Sequence, residues 1–212
     1  MYSCSCAAGP ALEGMNITSG MRAAKGAVED VHIGPEGIRL DVIGGDEPHG
    51  LCGSGILAVV RELVRNGLVT RRGAFAKPED FEVGDYRRDI LRYNGTKREA
   101  LLYSSGETEL LVTQSDVRQV QLAKGAIRSG IEVLLSHGGL TYEDIDKVLI
   151  AGQFGAHLPA ESLLQIGLLP PVTEDKLAYA GNSAKSGAVA ALLSDEVKKE
   201  MEDLAKHIQY IE

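Results

Sequence analysis

Three glycine turns constrain this chain more than any other feature: Gly50-Leu51-Cys52-Gly53-Ser54-Gly55, Gly152-Gln153-Phe154-Gly155 and Gly181-Asn182-Ser183. Each stands where an apolar strand or a helix begins or ends. Glycine there admits positive φ and lets backbone approach another group without a Cβ in the way. Strands that stop at such turns and hand over to helices point to an α/β domain, in which ligands gather beyond the carboxyl ends of strands. The first turn opens into a helix whose apolar face is Ile56, Val59, Val60, Leu63 and Val64, with Asn66-Gly67 as its stop and Ser54 as its predicted N-cap. The free N–H groups and dipole of that helix start suit a phosphate; a tight entry into a packed helix accounts for the same glycines. It is not a Walker A loop, because no Gly-Lys-Ser/Thr follows.

The segments between the turns give the rest of the α/β reading. Residues 27–33 and 38–44 are predicted strands joined by Gly34-Pro35-Glu36-Gly37. Residues 73–112 are more polar and turn-rich, a β-rich excursion in which Asn94-Gly95 predicts a hairpin turn. Thr113-Gln114-Ser115-Asp116 resembles a capping box at the head of a long helix running to Gly138-Gly139. The run Lys147-Val148-Leu149-Ile150-Ala151 predicts a buried strand. Pro159 suits a helix over 159–166, and Leu177-Ala178-Tyr179-Ala180 predicts a short strand. It should lie beside the 148–150 strand, with the helices over 114–137 and 184–193 on the faces of that sheet. A last helix carries Asp195 and Glu196 at its start and Lys206 and His207 at its end, matching the macrodipole.

Charge and composition remove several classes. A formal net charge of −8 without a Lys/Arg cluster argues against nucleic acid as partner. No apolar run approaches the roughly 20 residues of a membrane span, and the N-terminus lacks a signal-peptide pattern. Three cysteines are too few for a disulfide scaffold, so a cytoplasmic location with reduced thiols is expected. Tyr2-Ser3-Cys4-Ser5-Cys6 follows Met1 with no introductory element, as though the domain began upstream.

Cys4, Cys6, His49 and Cys52 form one conceivable ligand set, but metal sites favour Cys-x-x-Cys pairs. In a strand, Cys-x-Cys sends its side chains to opposite faces. The expectation is therefore no metal and no nucleophile, since no His–carboxylate partner is marked by spacing. His137 and His207 sit at helix ends as surface histidines, and His157 stands beside the second glycine turn.

Taken in order, Cys4-Ser5-Cys6-Ala7-Ala8-Gly9-Pro10-Ala11-Leu12-Glu13-Gly14, Gly50 to Gly55, Gln121-Leu122-Ala123-Lys124-Gly125-Ala126-Ile127, Ile150 to Gly155 and Gly181-Asn182-Ser183 span nearly the whole chain. This ordered set resembles the C-terminal ATPase-like domain of the reductive activators of corrinoid enzymes. The resemblance implies an actin-like, ribonuclease H-like fold, with residues 1–212 as the C-terminal part of that ATPase domain. It implies an activator that uses ATP to drive one-electron reduction of a Co(II) corrinoid protein to Co(I), the electron coming from an iron–sulfur cluster in a separate domain. It also implies nucleotide contacts from Gly53, Ser54, Gly55, Gly152, Gln153, Gly155 and Asn182. Gln153 replaces a second glycine usual in the family, so backbone approach is less close there.

The two Asp-x-Gly-Thr phosphate motifs of a complete ATPase of this group, which would bind Mg²⁺, do not occur in the sequence, nor does a ferredoxin-type cysteine cluster. The expected upstream lobe and iron–sulfur domain are thus absent from this stretch, which by itself is not expected to hydrolyse ATP efficiently. Two other readings stay open: a docking module for a corrinoid protein that needs no nucleotide, and a subunit of another enzyme on this fold, hydantoinase-like or a small-molecule kinase. A homodimer is compatible with each.

Overall fold

The computed structural model describes residues 1–152 and 158–211. After β1 (Tyr2–Ser3) come the strands β2 (Ala27–Gly34), β3 (Gly37–Val42) and β4 (Gly50–Leu51), then helix α1 (Gly53–Arg65). A short helix α2 (Tyr86–Ile90) precedes β5 (Leu91–Asn94), β6 (Lys97–Ser105) and β7 (Thr108–Thr113). The long helix α3 (Gln114–Gly138) follows, then β8 (Val148–Ala151), α4 (Ala160–Gln165), β9 (Leu177–Gly181), α5 (Ser183–Leu193), α6 (Asp195–Lys206) and β10 (Gln209–Tyr210). The chain divides into two compact units, Ala8–Gly125 and Met1–Ala7 with Ala126–Glu212.

In the Ala8–Gly125 unit, β2 and β3 pair antiparallel through the Gly34–Gly37 turn, and β4 pairs parallel to the other edge of β2. Val28, Val31 and Ile33 of β2 and Ile56, Leu57, Val59 and Leu63 of α1 are buried, and α1 packs on β2. Each such side chain contributes roughly 1.5–3 kcal/mol relative to exposure. A buried ionic network fixes the register of that packing. The Arg61 side chain is 1% exposed and donates to Glu62, Asp30 and the Val31 carbonyl, while Glu62 also accepts from the Ile33 N–H at 3.0 Å. Asn66, just past α1, donates to the Ile33 carbonyl and accepts from the Tyr86 hydroxyl at 2.6 Å.

The 73–112 stretch holds the antiparallel sheet β5-β6-β7. Its first turn differs from the Asn94-Gly95 expectation. Asn94 pairs with Lys97, so the two turn residues are Gly95 and Thr96, and only Gly95 has positive φ, at 62°. The second hairpin repeats this scheme: Ser105 pairs with Thr108, and Gly106 has φ 57°. Glycine at the first turn position is the requirement of a type II′ turn. The capping box at Thr113 forms as expected: the Thr113 N–H donates to Asp116 at 2.8 Å, and the Asp116 N–H donates back to the Thr113 hydroxyl at 3.4 Å. Asp116 is buried because it also accepts from the Thr18 N–H and hydroxyl.

In the second unit, β8 and β9 pair parallel in one sheet, as the sequence predicts, and β1 pairs parallel with β10. The expectation of a buried strand over 147–151 is not met. Along β8 the side chains alternate between half-buried and exposed, and Leu149 is 61% exposed. Among the described residues the side chains of β8 are not fully covered, so a continuous apolar run does not secure burial. Nor does α5 cover it with a buried face: no α5 residue is buried, and the helix packs chiefly against α6. Capping at the end of the chain is regular, with the Ser194 hydroxyl accepting from the Val197 N–H at 3.3 Å and acidic residues in the first turn of α6.

Candidate functional site

The carboxyl ends of β8 and β9 meet at two glycines. The Gly152 N–H donates to the Gly181 carbonyl at 2.8 Å, one step beyond the Ala151–Gly181 pairing. Gly152 has φ 100° and Gly181 has φ 61°, and a Cβ on either would meet nothing within 4 Å. Both are glycine because of backbone conformation, and both leave open space beside the strand ends. Asn182 follows as the N-cap of α5, its side-chain oxygen accepting from the Lys185 N–H at 3.0 Å. The strand alternation of β9, one residue of turn and a capped helix start therefore bring Gly152, Gly181 and Asn182 to one edge. That is the edge of a parallel sheet where backbone is available to a ligand. Gln153, Gly155 and His157 lie outside the described residues.

Gly53, Ser54 and Gly55 stand differently. Their turn forms the start of α1, and all three are buried. The N-cap is Cys52 rather than the expected Ser54, because Ser54 already lies within the first turn. The Cys52 N–H and thiol both turn to the Val28 carbonyl, at 3.1 and 3.2 Å, and the Ser54 hydroxyl contacts the same sulfur at 3.2 Å. A Cβ on Gly55 would overlap that carbonyl. Close packing of α1 on β2 thus requires glycine at 55 whether or not a ligand binds.

Two charge clusters with shifted pKa values lie in the Ala8–Gly125 unit. Arg92 bridges Glu99 and Glu109, which raises its own pKa and holds the Glu109 carboxyl low. Asp85, N-cap of α2, is held low by the Arg87 side chain and N–H. Among the described residues, one group has metal-ligand spacing: Asp30, His32 and Asp41 on the β2–β3 hairpin. Asp30 is already held by Arg61. His207 contacts the Asp203 carbonyl through Nδ1, and His137 lies edge-on to Tyr2, so both histidines have local partners.

The whole chain, residues 1–212, matches the family model described as the C-terminal domain of RACo, the ASKHA domain. The chain belongs to this RACo C-terminal ASKHA family. Its resemblance to reductive activators is thereby confirmed, and with it the actin-like α/β fold. The chain is 37% identical over 199 residues to the corrinoid activation enzyme RamQ of Eubacterium limosum, covering 92% of this chain and 34% of RamQ. It is 27% identical over 232 residues to the [Co(II) methylated amine-specific corrinoid protein] reductase of Methanosarcina barkeri, covering 98% of this chain and 38% of the reductase. Among solved structures it is similar to a reductive activator for corrinoid, iron-sulfur protein, with a TM-score of 0.85 at 34% identity. That match covers 98% of this chain and 33% of the activator. This ASKHA-family chain therefore spans about a third of the length of the curated relatives it matches. Among its described residues, no helix is long and apolar enough to cross a membrane.

Proposed function

We propose that this chain is the nucleotide-binding lobe of an ATP-dependent reductive activator that returns a Co(II) corrinoid protein to Co(I). The observation that carries the proposal is the pair of open glycines, Gly152 and Gly181, at the joined carboxyl ends of β8 and β9. An adenosine seated there would lie against backbone rather than side chains. Gly152, Gln153 and Gly155 would approach it, and Asn182 would fix the adjacent helix start. At Gly55, packing on Val28 already explains the glycine.

The chain's residues fit the nucleotide better than its metal. Gly152, Gly181 and Asn182 offer no carboxylate for Mg²⁺. The electron carrier belongs elsewhere. Cys4 and Cys6 lie in one compact unit, while Cys52 is buried in the other and hydrogen-bonded to Val28. These three thiols do not supply the four-thiolate set of an iron–sulfur cluster. Other segments of the longer protein would supply both magnesium ligands and electron carrier.

In that protein, nucleotide turnover would change the fit between activator and corrinoid protein, and a cytoplasmic location follows from this partnership. The test uses the longer protein, a Co(II) corrinoid protein and a chemical reductant, with Co(I) followed by absorbance. Co(I) should form only when ATP is present. Equal Co(I) formation without ATP, or none with ATP for any corrinoid protein of the source organism, would overturn the assignment.

A further inference from the structure

A Cys-x-Cys sequence continuing along a strand would separate its sulfurs. Here β1 ends at Ser3, the chain leaves the strand, and both sulfurs come to the same place. A methyl group on Gly130, in the middle of α3, would overlap the Cys6 sulfur and stand 3.2 Å from the Cys4 sulfur. The Cys4 thiol donates to the Gly130 carbonyl at 3.7 Å. The missing side chain of Gly130 is thus the space that the two sulfurs share. The segment is anchored on both sides. Tyr2 and Ser3 pair with β10, and the Ser5 hydroxyl, between the two cysteines, contacts the Tyr210 hydroxyl at 2.6 Å.

We propose that Cys4 and Cys6 form a paired-thiol site that small-molecule disulfides oxidise to an intrachain Cys4–Cys6 disulfide, leaving Cys52 reduced. Exposure sets the order of events, because Cys6 is exposed, Cys4 is half-buried and Cys52 is buried. The Cys6 thiolate attacks one sulfur of the incoming disulfide. That S–S bond breaks, one small thiolate leaves and takes up a proton, and a mixed disulfide remains on Cys6. The Cys4 thiolate then attacks the Cys6 sulfur and expels the second small thiolate. Two protein thiols are oxidised, one small disulfide is reduced to two thiols, and two protons pass to the leaving groups.

Partial desolvation by its neighbours, reinforced by Cys4, pushes the Cys6 thiol up from its ordinary range although the residue is exposed.

The test incubates the 212-residue chain in reduced and oxidised glutathione at a series of ratios, quenches by alkylation and maps the cysteines by peptide mass. A Cys4–Cys6 disulfide should form, with Cys52 alkylated only after denaturation. Cys4→Ser should trap the glutathione adduct on Cys6. Gly130→Ala should slow ring closure at least tenfold and leave the adduct in place. Gly125→Ala, on the same helix with nothing within 4 Å of its added methyl, should close as the unaltered chain does. Three persistent thiols, a stable glutathione adduct in the unaltered chain, or closure in Gly130→Ala at the unaltered rate would each overturn the proposal.

Discussion

At the scale of single residues, position 61 carries the largest stake. Arg61 and Glu62 are buried and hold each other, Asp30 and the backbone of β2. Removing one partner leaves the other charge buried, which typically costs about 3–5 kcal/mol. Arg61→Ala should lower unfolding stability by that amount, measured by denaturant titration; a loss under about 1 kcal/mol would show that water replaces the guanidinium. Asp85 offers a pH test. Its folded pKa is depressed by the Arg87 side chain and N–H, so its contribution is present above the ordinary carboxylate range and is lost as pH falls through the lowered folded value. An NMR titration should place its midpoint below that of ordinary aspartates, and Arg87→Ala should move it upward. These partnerships were not legible in the sequence, because Asp30 and Arg61, or Thr18 and Asp116, are joined only by the fold. The same holds for Cys4 and Cys6, whose convergence depends on β1 ending at Ser3 and on a glycine far along α3.

At the scale of elements, local chemistry proved the most readable. The spacing of apolar residues from Ile56 to Val64, the Thr113–Asp116 capping box and the charge order of α6 each predicted an element that the structure contains. Boundaries were less readable where two local signals compete. Asn94-Gly95 reads as a turn pair, yet Asn94 keeps its ladder position opposite Lys97 and Gly95 alone supplies positive φ. Gly95→Ala should therefore destabilise the β5–β6 hairpin by about 1–2 kcal/mol, the cost of a left-handed backbone for an L-residue. Asn94→Ala should cost less. Thermal unfolding of the two variants checks the order, and a reversed order would return the turn to Asn94-Gly95. The burial of β8 was misread for a different reason. Val148-Leu149-Ile150-Ala151 has the composition of a strand covered on both faces, but composition does not say which segment supplies the cover. Leu192 and Leu193, at 85% and 80% exposed, show the same disparity at the end of α5.

At the scale of the molecule, the ordered set of motifs from Cys4 to Ser183 carried the family resemblance, and with it the fold. The site is only partly legible. Gly152 and Asn182 come together at one sheet edge, whereas Gly55 owes its identity to packing on Val28. The chain alone, without carboxylates for Mg²⁺ at that edge, should bind ATP weakly, since an acidic protein with net charge −8 repels phosphates that no cation bridges. The most direct test is calorimetric ATP titration of the longer protein with and without Gly152→Val, well below both unfolding midpoints. Because Gly152 has φ 100°, valine strains the backbone as well as filling the open space, so thermal unfolding is recorded for both proteins. ATP affinity should fall at least tenfold, about 1.4 kcal/mol, while the variant remains folded. Unchanged affinity in a folded Gly152→Val protein would contradict the placement of the nucleotide at this edge.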